Sequence, residues 1–113
     1  MNDFFLFLDL KDSIDREIYF NGYYEEEQVS YLKEAILKFN LNSFIDIGAN
    51  IGVYALSISK QFPDLNIIAF EPHKDAFKRM EMAIQKNNFS KRITAYPYAL
   101  ANEDGEGKLF TLN

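Results

Sequence analysis

Residues 43–71 constrain this chain most, because their apolar runs and breaks dictate a strand, a tight turn, a helix, a second strand and then an acid. Residues 43–47 form a short apolar strand, and residues 51–61 have helical character until Phe62-Pro63-Asp64 stops them. Residues 66–70 are a second strand, where Ile67, Ile68, Ala69 and Phe70 are apolar on both faces. The alternation continues with a helix over 75–87 and a third strand over 92–98. In that helix Phe77, Met80 and Ile84 fall inward while Lys74, Lys78, Glu81 and Lys86 fall outward. Apolar strands separated by helices predict an α/β fold with a parallel sheet covered on both faces. Right-handed crossovers place the second and third strands successively outward from the first.

Upstream, residues 25–39 read as an amphipathic helix with Glu25, Glu26 and Glu27 in its first turn, where the helix dipole favours negative charge. Val29, Leu32, Ile36 and Phe39 make its apolar face, and Asn40-Leu41-Asn42 ends it. Residues 4–10 and 14–20 read as two short strands joined by Lys11-Asp12-Ser13. Tyr19, Phe20, Tyr23 and Tyr24 are expected to pack the second of these against the helix. Downstream, residues 102–107 give a strong turn signal and 108–112 a returning strand. The whole, 1–113, reads as one domain, with 1–42 as N-terminal strands and helix ahead of a nucleotide-binding core at 43–113. A complete doubly wound sheet has further strands beyond its first one. None follows here, so the sheet is expected to be incomplete on its C-terminal side.

Composition narrows the chemistry. The chain has 113 residues, 48% hydrophobic and 26% charged, which suits one compact globular domain. Its net charge of −5 disfavours a phosphate backbone as partner. Without cysteine there is no disulfide framework or thiolate metal site, and the single His73 cannot build a multi-histidine site. No metal site is expected. No apolar run is long enough to span a membrane, so a cytoplasmic protein is the default expectation.

The candidate site lies at Asp46-Ile47-Gly48-Ala49-Asn50-Ile51-Gly52, where a strand ends and a helix begins. Gly48 permits a tight turn through positive φ, and Gly52 is expected to let the helix pack close to the strand. The helix start offers free N–H donors, and Asp46 sits at the strand's carboxyl end, where open α/β sheets bind ligands. Glu71 follows the second strand, 19 residues after Gly52, and suits ribose hydroxyls. Dinucleotide-binding turns favour G-x-G-x-x-G, but Asn50 stands where their second glycine admits the pyrophosphate. That favours a phosphate-free adenosine ligand carrying an amino acid.

Residues 44–52, then Ala69-Phe70-Glu71-Pro72, resemble the FkbM-type family of S-adenosylmethionine-dependent methyltransferases. The similarity extends to Gly22-Tyr23-Tyr24-Glu25, Asn87-Asn88, Tyr98-Ala99-Leu100 and the turn at Gly105, roughly residues 15–110. It implies a class I methyltransferase fold, Rossmann-like, acting on a hydroxyl of a sugar or natural-product acceptor. Asp46, Gly48, Ala49, Asn50 and Gly52 would surround the methionine part of S-adenosylmethionine, and Glu71 would hold the ribose. Pro72, His73, Tyr98 and Ala99 would border the adenine. The family's later acidic, lysine-containing strand has no counterpart here, so the resemblance implies no catalytic base. Two other readings compete: a non-catalytic fragment completed by a partner, an oligomer or a further C-terminal segment, and a nicotinamide-binding domain. His73 reads as a solvated loop residue, and Lys74, Lys78, Arg79, Lys86, Lys91 and Arg92 as a solvated basic face.

Overall fold

The computed structural model describes residues 4–9, 11 and 26–108. The expected strand over 14–20, its aromatic packing and nearly all of the returning strand over 108–112 lie outside them. Residues 4–9 form no strand, in contrast to expectation, and instead lie against the helix layer.

Three helices and three strands alternate: α1 (Glu26–Phe39), β1 (Ser43–Ile47), α2 (Val53–Gln61), β2 (Asn66–Phe70), α3 (Lys74–Lys86) and β3 (Ile93–Tyr96). The sheet is parallel in the order β1-β2-β3, with Asp46 beside Ala69 and Ile47 beside Phe70. Both β1 and β2 have the bounds their apolar runs predict. Asparagine in the left-handed region ends α1 and α3: Asn40 (φ 49) and Asn88 (φ 61). Each lets the next amide reach back into its helix, Leu41 to the Ile36 carbonyl at 3.0 Å and Phe89 to that of Ile84 at 2.9 Å.

One expectation fails. The sheet is covered on a single face among the described residues, not on both. Asp46, Ile67, Ala69 and Ile93 are buried beneath the helices, whereas Ile45 and Ile47 on the opposite face are 58% and 65% exposed. The handedness rule explains this. Two right-handed crossovers that step in the same direction put both connecting helices on the same side, and only a reversal of strand order fills the other. On the open face Phe70, Tyr96 and Tyr98 stack in a row, with ring centroids 5.5 and 6.2 Å apart.

Beneath the helices, Leu56, Ile58, Ile67 and Met80 are fully buried, each contributing about 1.5–3 kcal/mol by removal from water. Phe39, the last residue of α1, falls outside this core at 64% exposed. Arg92 departs from the solvated basic face: it donates to the Ser59 carbonyl at 3.2 Å and covers the Phe89 ring. Ser59 itself is fully buried, and its Oγ has no partner. Ser59→Ala is therefore expected to raise stability by about 0.5–1 kcal/mol in urea unfolding, since it deletes an unsatisfied hydroxyl at little cost in volume. A loss of stability would contradict this.

Candidate functional site

The turn after β1 is stapled to the end of β2. Gly48 and Ala49 both donate to the Phe70 carbonyl at 2.9 Å. The chain then passes through Asn50 (φ 55) and Gly52 (φ 95) before α2 begins. Gly48 (φ 73) has open space where a side chain would start, so its turn needs glycine for backbone conformation alone. Gly52 is different. A Cβ there would lie 2.9 Å from Met80 Cγ, so this glycine makes room for α3 and not, as expected, for its own strand.

Glu71 crosses between the two loops. Its Oε1 accepts the Asn50 N–H and its Oε2 accepts the His73 N–H, both at 2.8 Å. His73 in turn caps α3, its Nδ1 accepting from the Ala76 amide at 3.3 Å. The single histidine is thus a helix cap and not the free loop residue its sequence position suggests. Glu71 is 92% removed from solvent, and so is Asp46, both 8% exposed.

The Ala55 amide, in the first turn of α2, acts on the Asp46 carboxyl, whose Oδ2 has no partner. Burial pushes its carboxyl up from 3.8 to about 6, the Ala55 amide works against this, and the Glu71 charge adds to it. Asp46 also lines a cavity of about 290 Å³ with Gln28, Tyr31, Leu32, Phe44 and Tyr54. Sequence reading missed these wall residues, because α1 and α2 periodicity marks a buried face without marking the gap between two such faces.

These bonds define what the site can hold. A strand-to-helix turn usually offers its amides to a phosphate. Here the Asn50 amide is taken by the buried carboxylate of Glu71, and a second buried carboxylate, Asp46, lies at the adjacent strand end. Two buried carboxylates at this turn disfavour an entering phosphate. The structure brings Asp46, Gly48, Ala49, Asn50, Gly52, Glu71 and His73 together, with Pro72 between Glu71 and His73. Tyr98 is 60% exposed and joins the aromatic row of the open face, and Ala99 is exposed beside it. Among the described residues no group of acids and histidines could hold a metal, and no helix is long and apolar enough to cross a membrane.

Several solved structures are similar to this chain in fold. A Staphylococcus aureus protein proposed to be a caffeoyl-CoA O-methyltransferase superposes with a TM-score of 0.64 at 14% identity, over 75% of this chain and 43% of its own. This is the class I methyltransferase fold. The StiE O-methyltransferase matches with a TM-score of 0.57 at 13% identity, over 92% of this chain and 42% of its own. The plantazolicin methyltransferase BpumL, solved with a desmethyl plantazolicin analogue and S-adenosylhomocysteine, matches at 0.51 and 19% identity over 89% of this chain and 40% of its own. By sequence, Methyltransferase 1 of the fungus Beauveria bassiana is 34% identical over 64 residues, which are 56% of this chain and 25% of the relative. No family model matches the chain. The chain spans about a quarter of that curated relative and less than half of the solved structures.

Proposed function

We propose that this chain is the donor-binding part of an S-adenosylmethionine-dependent methyltransferase that methylates a hydroxyl of a small-molecule or glycan acceptor, as the FkbM-type enzymes do. The observation that carries the donor reading is the pair of buried carboxylates at adjacent strand ends, one of which, Asp46, has an unpartnered oxygen and lines an apolar cavity. Glu71 keeps lone pairs free beyond its two amide bonds, which suits the vicinal hydroxyls of a ribose. Asp46 Oδ2 suits the positive charge of the donor's methionine end, held among Gly48, Ala49, Asn50 and Gly52. Pro72 and His73 border the adenine ahead of α3, with Tyr98 and Ala99, after β3, as its further border.

When bound, the donor supplies an electrophilic methyl group on a positively charged sulfur. The chain's own contribution is to hold it: the backbone turn fixes its position, Glu71 its sugar, and Asp46 its charge in a site of low dielectric. The hydroxyl acceptor follows from the family resemblance and from the O-methyltransferases among the structural neighbours. A nicotinamide dinucleotide fits poorly, since its pyrophosphate would replace amide bonds already made to Glu71.

Asp46 gives this reading a pH signature. A cationic donor binds the ionised carboxylate, so binding releases a proton below about pH 6. Affinity for S-adenosylmethionine should rise with pH up to that point and then level off. Stability of the free protein runs the other way. The folded chain binds more protons than the unfolded one between pH 3.8 and about 6, so stability falls as pH rises through that window. Asp46→Asn is thus expected to add about 2 kcal/mol to the stability of the free protein at pH 7 while weakening the ligand at least tenfold. Urea unfolding and a fluorescence titration check both halves, and a variant that is no more stable yet binds as well as wild type would refute the assignment.

A further inference from the structure

Residues 4–9 touch parts of the chain far from them in sequence. One side chain holds both backbone groups of Phe5: its N–H donates to Asn87 Oδ1 at 2.8 Å, and its carbonyl accepts from Asn87 Nδ2 at 2.9 Å. The same Nδ2 donates to the Ala83 carbonyl at 2.7 Å, which ties the clamp to the last turn of α3. The Lys86 ammonium lies 5.2 Å from the centre of the Phe5 ring.

Past the clamp, Leu6 and Leu8 pack on Ile51, Val53 and Ala76. These three buried residues form a cluster separate from the main core. Ile51 and Val53 bracket the start of α2, and Ala76 lies in the first turn of α3. The two helix starts carry the loops whose amides meet on Glu71, one from Asn50 and one from His73. Their separation decides whether one carboxylate can reach both amides. Among the described residues, Leu6 and Leu8 are the partly buried hydrophobics that pack on this junction.

We propose that residues 4–9, clamped by Asn87, form a strap that fixes the spacing of the α2 and α3 starts, making Asn87, Leu6 and Leu8 positioning residues for donor binding. The donor half of this statement rests on the function proposed above, but the spacing half does not. Asn87 belongs to the Asn87-Asn88 pair of the sequence resemblance, and the strap gives its side chain a task beyond ending a helix.

Amide exchange followed by NMR on the full chain tests the spacing without any ligand. In Asn87→Ala, and in the milder Leu8→Ala, the Asn50 and His73 amides should exchange about tenfold faster while those of Ile67 and Ala69 stay protected. A strap that merely added stability would speed all four together, and unchanged Asn50 and His73 exchange would likewise overturn the proposal.

A second arm uses the unaltered chain with S-adenosylhomocysteine. Coupling between sites is reciprocal, so the ligand should slow exchange at Phe5 to Leu8 about fivefold, and both variants should bind it about tenfold more weakly. Site amides that gain protection while the strap does not would overturn the donor half. If the ligand does not bind the unaltered chain, the donor reading itself is wrong, and the ligand-free exchange still decides the spacing.

Discussion

Glu71→Gln is expected to cost about 2–3 kcal/mol of stability and to weaken S-adenosylhomocysteine at least thirtyfold, although it changes the side-chain volume very little. The reason is the direction of its bonds. Both carboxylate oxygens accept backbone N–H groups, from Asn50 and from His73. An amide side chain has one acceptor oxygen and one NH2 group, so one of those two donors must face another donor. A hydrogen bond to a charged acceptor is worth about 1.5–3 kcal/mol, and an orphaned buried N–H adds its own desolvation cost. The ribose would also meet a neutral group. Glu81→Gln, on the exposed face of α3, should change stability by less than about 0.5 kcal/mol and serves as the control. Urea unfolding of both variants measures the difference, and a Glu71→Gln protein as stable as the control would remove Glu71 from its bridging role.

Gly52→Ala should be comparably damaging for a different reason. Two costs coincide there: a φ of 95 that L residues rarely adopt, and a Cβ placed 2.9 Å from Met80 Cγ. Positive φ costs about 1–2 kcal/mol, and overpacking a core contact a further 1–3 kcal/mol. Gly48→Ala shares the first cost but not the second, because nothing lies within 4 Å of its Cβ position. The expected order is thus Gly52→Ala worse than Gly48→Ala by about 2 kcal/mol. Met80→Ala, destructive on its own, should recover part of that gap in the double variant, since it removes the clashing atoms. Equal losses at the two glycines would show that α3 gives way freely and that Gly52 matters for conformation alone.

The contrast between these glycines marks where sequence reading reached its limit. Spacing placed Gly48, Asn50, Gly52 and Glu71 in one turn-and-acid group, and the structure joins them as a unit. It could not say that Gly52 answers to Met80, 28 residues away, because helix-to-helix distance is set by tertiary packing. Strand β3 spans Ile93–Tyr96 and stops before Pro97, shorter than the expected 92–98. Strands β1 and β2 were legible because short apolar runs end at Gly48 and at Glu71-Pro72. The open sheet face was not, since Ile45, Ile47 and Ile68 look like core in a list of residues and only the strand order reveals which side the helices take. His73 was misread for a related reason: an imidazole is an unusual helix cap, and its Nδ1 bond to Ala76 depends on a backbone bend that no residue pattern announces.

Asp46 shows the same division. Its position at a strand end pointed to the ligand crevice, but its burial with an unpartnered oxygen and the cavity it lines with residues of α1, β1 and α2 are set by tertiary packing. The choice of a phosphate-free adenosine ligand over a dinucleotide rests on that buried acid together with the Asn50 amide already claimed by Glu71.

Calorimetric titration of this chain with S-adenosylhomocysteine and, separately, with NAD tests the choice most directly. The arrangement of Asp46, Asn50 and Glu71 predicts one-to-one binding of S-adenosylhomocysteine and no saturable heat from NAD. Binding of NAD as tight as that of S-adenosylhomocysteine, or tighter, would contradict it.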